Sequence, residues 1–102
     1  MKIAIAAEND DLSSKISTQG ARALFFLIFG EDGNLIEILE NPYSSKESHV
    51  GPDVASMLSK INVTRVVAGR FGPKFKDGLE GNHVECIEQA GFATQVIKEL
   101  VD

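Results

Sequence analysis

Five stretches of the chain carry the alternating or continuous apolar residues that are typical of β-strands. The predicted strands are residues 2–7, 22–29, 35–40, 64–68 and 83–87. In the first of them isoleucine alternates with alanine, so both of its faces are expected to be buried in the middle of a sheet. Asp32 and Gly33 lie between the second and third strands and favour a tight turn, which predicts a hairpin.

Three helices are predicted where apolar residues recur every three to four positions. The first is expected to begin at Pro52 and the second to cover residues 73–80, because proline is favoured in the first turn of a helix. The third covers residues 93–101, where Ala, Val, Ile and Leu form one stripe. Residues 8–21 and 41–51 are polar and are predicted to be connections.

The element order β-β-β-α-β-α-β-α predicts one α/β domain over residues 1–102. The first strand and the last two should be parallel and joined by helical crossovers, while the hairpin extends the sheet at one side. The predicted architecture is a three-layer mixed β-sheet with helices on both faces. A mixed sheet with an antiparallel pair at one side suits a ribonuclease-H-like motif.

The charge and the cysteine content narrow the classes of function. The net charge of −5 disfavours nucleic acid as a partner, because such binding depends on positive charge. No apolar run approaches the ~20 residues that span a bilayer, and the N-terminus does not resemble a secretory signal, so we expect no membrane association and a cytoplasmic protein. The single cysteine, Cys86, fits a reducing compartment and is expected to be a buried core residue.

The segment Gly69-Arg70-Phe71-Gly72-Pro73 joins a predicted strand to a predicted helix. Free backbone N–H groups and the positive end of the helix dipole attract anions at such a junction, and Arg70 adds a positive charge. The segment is equally explained as a tight connection, in which the glycines allow positive φ and Pro73 fixes the helix start. Both interpretations stand at the level of sequence.

Several segments resemble one known family in the same order along nearly the whole chain. They are MKIAIA, GARALFFLIF, ENP at residues 40–42, DVASMLSKINV, RVVAGRFGPKFKDGLEGNHVE and FATQVIKELV. Together they are similar to the dinitrogenase iron–molybdenum cofactor-binding domains. The resemblance implies a ribonuclease-H-like fold and an accessory or carrier role without turnover. It implies iron–molybdenum cofactor or an iron–sulfur precursor as ligand and metallocluster assembly proteins as partners.

Family members that bind the cofactor usually carry a histidine in the loop before the second strand. Here that position falls on Thr18 or Gln19, depending on where a one-residue gap is placed, and neither replaces imidazole as an iron ligand. The absent histidine argues against cluster binding, whereas the fold that the resemblance implies does not depend on it. The cofactor-binding residues that we predict, from this loop and the Gly-x-x-Gly turn, are Gln19, Gly20, Arg22, Gly69, Arg70, Phe71 and Gly72. His49 is the candidate metal ligand.

Two other functions stay open beside the carrier role. One is a module that binds an anion or a small molecule with the Gly69–Gly72 turn. The other is a protein-interaction domain, including a homo-oligomer that uses the exposed hairpin edge. Nuclease chemistry is disfavoured, since it needs carboxylates that converge from several strands, whereas Ile3–Ala6 of the first strand carries no acid. We expect no enzyme activity.

Overall fold

The computed structural model describes residues 1–101 and confirms an α/β fold with a five-stranded mixed sheet and three helices. The strands are β1 (Lys2–Ala7), β2 (Phe25–Gly30), β3 (Leu35–Glu40), β4 (Val63–Ala68) and β5 (Glu85–Glu88). The helices are α1 (Val50–Lys60), α2 (Pro73–Gly81) and α3 (Ala93–Val101), and one short 3₁₀ turn covers Gly20–Arg22. No helix within residues 1–101 is long and apolar enough to cross a membrane.

The strands lie in the order β3-β2-β1-β4-β5. β1 pairs in parallel with β4, which pairs in parallel with β5, whereas β2 is antiparallel to both β1 and β3. β3 therefore runs in the same direction as β1. As a result the chain leaves β1, β3, β4 and β5 at the same edge of the sheet, which we call the carboxyl edge.

Helices cover both faces of the sheet, and alternation along the strands divides the core between them. α1 and α2 pack on the face that carries Ala4, Ala6, Phe26 and Ile28. α3 packs on the opposite face, which carries Ile3, Ile5, Leu27 and Phe29. β1 is buried on both faces, as its alternating pattern predicts.

The hairpin forms at the predicted turn, where Gly33 adopts a φ of 83° that favours glycine. The backbone N–H of Asn34 donates to the Asp32 carboxylate at 3.1 Å, and the Asn34 side chain donates to it at 2.9 Å. These hydrogen bonds lower the pKa of Asp32.

The largest differences from the sequence prediction, of two or three residues, lie at the starts of β2, α1 and β5. The second strand begins at Phe25 rather than at residue 22, because Gly20–Arg22 forms the 3₁₀ turn that leads into it. α1 begins two residues before Pro52, since the buried Val50 side chain joins the core and proline is tolerated anywhere in the first turn. β5 covers Glu85–Glu88 instead of residues 83–87, after His83 has turned the chain with a φ of 61°.

Cys86 is half-buried and packs against the core, so the prediction of a buried core residue is confirmed only in part. The reason is that β5 is an edge strand that pairs only with β4. Burial is the main cause of the raised pKa of the Cys86 thiol, and the nearby Glu80 carboxylate raises this pKa further.

Candidate functional site

The connection before β2 is fixed to the carboxyl edge of the sheet through Ser17. The Ser17 N–H donates to the carbonyl of Ala6 at 2.8 Å, and the Ser17 carbonyl accepts the N–H of Gly69 at 2.8 Å. The buried Ser17 hydroxyl also accepts the N–H of Gln19 at 3.0 Å. These bonds hold Thr18 and Gln19 above the point where β1 and β4 end.

Gly20 and Gly69 permit close approaches between this connection and the turn after β4. A Cβ on Gly20 would lie 2.5 Å from the carbonyl oxygen of Arg70, and the φ of Gly20 is 55°. A Cβ on Gly69 would lie 3.1 Å from the Cα of Thr18. Neither Gly69 nor Gly72 has positive φ, so the prediction that these two glycines serve positive φ is wrong. Gly69 instead lies in a tight approach, where a Cβ would require Thr18 to shift by a few tenths of an ångström.

Asn41, in the ENP segment, connects the end of β3 to the 3₁₀ turn before β2. Its side chain is 3% exposed and donates to the carbonyls of Ala21 and Ala23, each at 2.8 Å. Its side-chain oxygen accepts the N–H of Tyr43 at 3.0 Å. The amide group therefore bridges the 3₁₀ turn and the start of the connection to α1, and satisfies three backbone groups.

α1 and α2 pack closely enough to bring their N-termini together. A Cβ on Gly51 would lie 2.7 Å from the backbone nitrogen of Phe75, and a Cβ on Gly78 would lie 2.9 Å from the Cβ of Ala55. Only glycine at these two positions allows such a separation. Both helices start at the carboxyl edge, and their first turns meet there.

Two adjoining clefts open at this edge. The larger one, which we call the helix cleft, has a volume of about 440 Å³ and lies between the 3₁₀ turn and the first turns of α1 and α2. Its lining residues are Gln19, Ala21, Arg22, His49, Val50, Gly51, Gly72, Pro73, Lys74 and Phe75. The smaller one, the arginine cleft, measures about 420 Å³ and is lined by Thr18, Gln19, Arg70 and Gly72. Gln19 and Gly72 line both, so the two clefts adjoin at these residues.

Backbone donors at the two helix starts give the helix cleft a positive character. The residues that precede α1 and α2, His49 and Gly72, provide no side-chain cap. The first backbone hydrogen bond of each helix is accepted by the residue before the helix. In α1 the Asp53 N–H donates to the His49 carbonyl, and in α2 the Lys76 N–H donates to the Gly72 carbonyl. The N–H groups before them have no acceptor within their helix, and both dipoles point their positive ends here.

The side chains add positive charge in a protein that is acidic as a whole. Arg22 and Lys74 line the helix cleft and Arg70 lines the arginine cleft. Among residues 1–101, no aspartate or glutamate lines either cleft, although the chain carries a net charge of −5. The site therefore favours an anionic ligand over a neutral or cationic one.

Arg22 also has a structural task. Its guanidinium donates to the carbonyl of Lys46 at 2.6 Å and to that of Glu47 at 3.2 Å, and thereby holds the connection that leads into α1. Lys46 in turn pairs with the Asp53 carboxylate in the first turn of α1. Arg22, which the sequence predicts as a cofactor-binding residue, lies at the helix cleft and positions the wall that ends in His49.

His49 is the only imidazole at the helix cleft. It adopts a left-handed conformation with a φ of 62°, and its Nδ1 lies 3.1 Å from the hydroxyl oxygen of Ser48. The Nε2 atom is therefore the ring nitrogen left for a ligand. Within residues 1–101, no group of three or more His, Cys, Asp or Glu side chains is placed to hold a metal ion.

Three of the predicted site residues, Gly20, Gly69 and Phe71, line neither cleft. Phe71 stacks on Phe75, with the ring centroids 5.6 Å apart, and packs against the core beneath α2. Phe75 itself lines the helix cleft, so Phe71 lies behind the ring that forms part of its wall.

Four residues at the helix starts line the helix cleft but were not predicted as site residues from the sequence: Val50, Gly51, Lys74 and Phe75. One signal could have found them. In a β1-β2-β3 meander β3 must run parallel to β1, so the helix after β3 has to begin at the same edge as the helix after β4. The Gly51-Pro52 and Pro73 helix starts are thereby predicted to be neighbours.

Comparisons with known proteins agree with the resemblance seen in the sequence. A sequence profile of a family described as "Dinitrogenase iron-molybdenum cofactor" matches residues 1–102. No curated protein matches the chain.

Two solved structures are similar over almost the whole chain. The apo form of the orange protein from Desulfovibrio gigas has a TM-score of 0.90 at 21% identity, covering 99% of this chain and 87% of that one. A putative NifB protein from Thermotoga has a TM-score of 0.79 at 29% identity, covering 95% of this chain and 84% of that one. At its low identity, the orange protein bears on the fold alone.

Proposed function

Because the chain belongs to the dinitrogenase iron–molybdenum cofactor family, we propose that it is a non-enzymatic carrier domain that binds an anionic metallocluster in the helix cleft. The cargo would be iron–molybdenum cofactor or an iron–sulfur precursor of it, received from and delivered to cluster assembly proteins in the cytoplasm. The whole chain would act as a single domain. The antiparallel β2–β3 pair beside the parallel strands supports the proposal that the fold has a ribonuclease-H-like motif.

One observation carries the proposal. Two helix N-termini without a side-chain cap and the side chains of Arg70 and Lys74 lie at two adjoining clefts that no carboxylate of residues 1–101 lines. A cluster with net negative charge is stabilised there by N–H donors and by the two cations. The volume of about 440 Å³ is in the range of small-molecule sites.

The donor set fits a cluster that is recognised as a whole anion. It does not fit a cluster held by several protein thiolates, since Cys86 lies on β5 and no other cysteine is present. We propose His49 as the single direct ligand, through Nε2. Gln19 and Gly72 then line the floor that the cluster approaches. Gly20 and Gly69 allow the close approach of the two connections behind that floor, and Phe71 supports the cleft wall.

Anaerobic reconstitution tests the proposal. The purified protein is incubated with an iron–sulfur precursor, passed through a desalting column, and examined by absorption spectroscopy and metal analysis. A retained chromophore with bound iron supports the carrier role, and its weakening in His49→Ala supports ligation by the imidazole. A colourless, metal-free protein after this treatment contradicts cluster binding.

A second candidate is a module for simple anions that uses the Gly69–Gly72 turn. The exposed guanidinium of Arg70 at the arginine cleft favours it. A thermal-shift screen with phosphate and small carboxylates should then find a stabilising anion, and Arg70→Ala should remove the shift. Arg65→Ala is the matched control, because Arg65 pairs with Glu85 in the sheet. An equal shift in wild type and Arg70→Ala would exclude this use of the turn.

A further inference from the structure

We propose that the free edge of β3 is a docking site for an extended basic segment of a partner protein, which adds a sixth strand to the sheet. The proposal concerns a surface of the hairpin and is independent of what the clefts bind. It rests on the open edge of the strand, on two exposed isoleucines and on the charge of the hairpin.

The edge of β3 has backbone groups that face away from the sheet. Within residues 1–101, β3 pairs only with β2. The N–H of Asn41 donates to the carbonyl of Leu24 at 3.0 Å, so by alternation Leu39 and Glu37 also direct their backbone groups to β2. The N–H groups of Ile38 and Glu40 consequently face outwards. The register shift between β2 and β3 at Ile28/Phe29 confines regular pairing to Glu37–Glu40.

Apolar side chains border this edge. Ile36 is 54% exposed and Ile38 is 40% exposed. Ile38 lies opposite Leu27, on the face that α3 covers farther along the sheet. β5, at the other edge, has four residues and no exposed large hydrophobic side chain. A strand that pairs with β3 would therefore bury apolar surface as well as satisfy backbone groups, which is how strand addition gains affinity.

The charge of the hairpin selects the partner. Residues 23–45 contain Glu31, Asp32, Glu37 and Glu40 but no lysine, arginine or histidine. Sheet edges are commonly protected from unwanted strand pairing by lysine. At this edge the charged residues are acidic instead. A second copy would bring the same negative charges to the contact. Side chains alternate between the two faces of a strand, so an added segment whose apolar residues lie beside Ile38 places its lysines or arginines on the other face, beside Glu37. Glu31, Asp32 and Glu40 add to the negative charge of the hairpin, so the segment has complementary charge.

The probe for the test is a blocked eight-residue peptide that alternates valine and lysine, titrated into the ¹⁵N-labelled full chain. Its control is the matching valine–glutamate peptide. We expect chemical-shift changes confined to β2 and β3, slower exchange of the Ile38 and Glu40 amide protons, and a Kd that rises at least tenfold between low and high salt. The valine–glutamate peptide should not bind.

Two variants separate the contributions of the backbone and of the charges. Ile38→Pro removes an outward N–H while leaving the bonds to β2, and should weaken binding at least tenfold. Glu37→Gln/Glu40→Gln keeps the fold and should remove most of the salt dependence. Equal binding of the two peptides would overturn the proposal, and so would chemical-shift changes that map outside β2 and β3. It would also be overturned if the free protein were a dimer in which the Ile38 and Glu40 amide protons already exchange slowly.

Discussion

Replacing Asn41 with alanine tests whether this residue holds the site together. The substitution removes two bonds that the side chain donates, at 2.8 Å each, and one that it accepts at 3.0 Å. The group is 3% exposed, so water does not readily replace them. At roughly 1 kcal/mol per bond, the free energy of unfolding should fall by about 3 kcal/mol. For a domain of this size the melting temperature falls by roughly 15 °C.

The measurement is urea unfolding followed by circular dichroism. Asn82→Ala is the matched control, because the exposed Asn82 side chain makes one hydrogen bond, to the carbonyl of Gly78 at 2.8 Å. We expect the control to lose well under 1 kcal/mol. If Asn41→Ala lost no more than Asn82→Ala, Asn41 would not hold the 3₁₀ turn in place, and the described origin of the cleft wall would be refuted.

Asn41→Asp adds a pH dependence to the same prediction. One carboxylate oxygen would face the carbonyls of Ala21 and Ala23, which disfavours the charged form and raises the pKa of the new carboxyl in the folded state. Its contribution to stability is then fully present below the unfolded pKa of about 3.9 and is lost as the pH rises through the folded value. Relative to wild type, the variant should be weakest at neutral pH. Equal relative stability at pH 4 and pH 7 would contradict this.

The remaining predictions concern a glycine, an arginine and the cysteine. Gly20→Ala should lower the free energy of unfolding, measured in urea, by about 2 kcal/mol or more, because Gly20 has a φ of 55° and a Cβ there would lie 2.5 Å from a backbone carbonyl oxygen. The control Gly81→Ala should not lose stability, since a Cβ at Gly81 would meet nothing within 4 Å. Arg22→Ala should speed tryptic cleavage after Lys46 several-fold, because the guanidinium no longer holds that carbonyl; an unchanged rate would show that the bond is dispensable. Cys86 should react with a thiol reagent at pH 8 more slowly in the folded than in the unfolded protein, because burial raises the pKa of its thiol; equal rates would contradict this.

The sequence predicted the elements whose pattern is local. The hairpin, the two-sided burial of β1 and the helix starts near Pro52 and Pro73 follow from alternation and from turn chemistry. What it did not predict depends on contacts between distant segments. The start of β2 moved to Phe25 because Gly20 and its neighbours turn against the connection after β4.

The candidate site was predicted in part for the same reason. Arg22 and Arg70 lie at the clefts, but only the structure shows that Arg22 is bonded to carbonyls of the connection before α1. Gly69 makes a close approach to Thr18, which a φ-based argument does not reveal. The contribution of α1 depends on Gly51 packing against α2, a contact between helices that no local motif marks.

The most direct test of the central claim is retention of a metallocluster by a charge-neutralised cleft. Wild type, Arg70→Ala/Lys74→Ala and the control Arg65→Ala/Lys60→Ala are reconstituted anaerobically, desalted, and assayed for bound iron and for the chromophore. Each charge-assisted contact contributes roughly 1.5–3 kcal/mol, so the cleft variant should bind at least tenfold more weakly while the control binds like wild type. Equal retention of cluster by the cleft variant and by wild type would contradict the account.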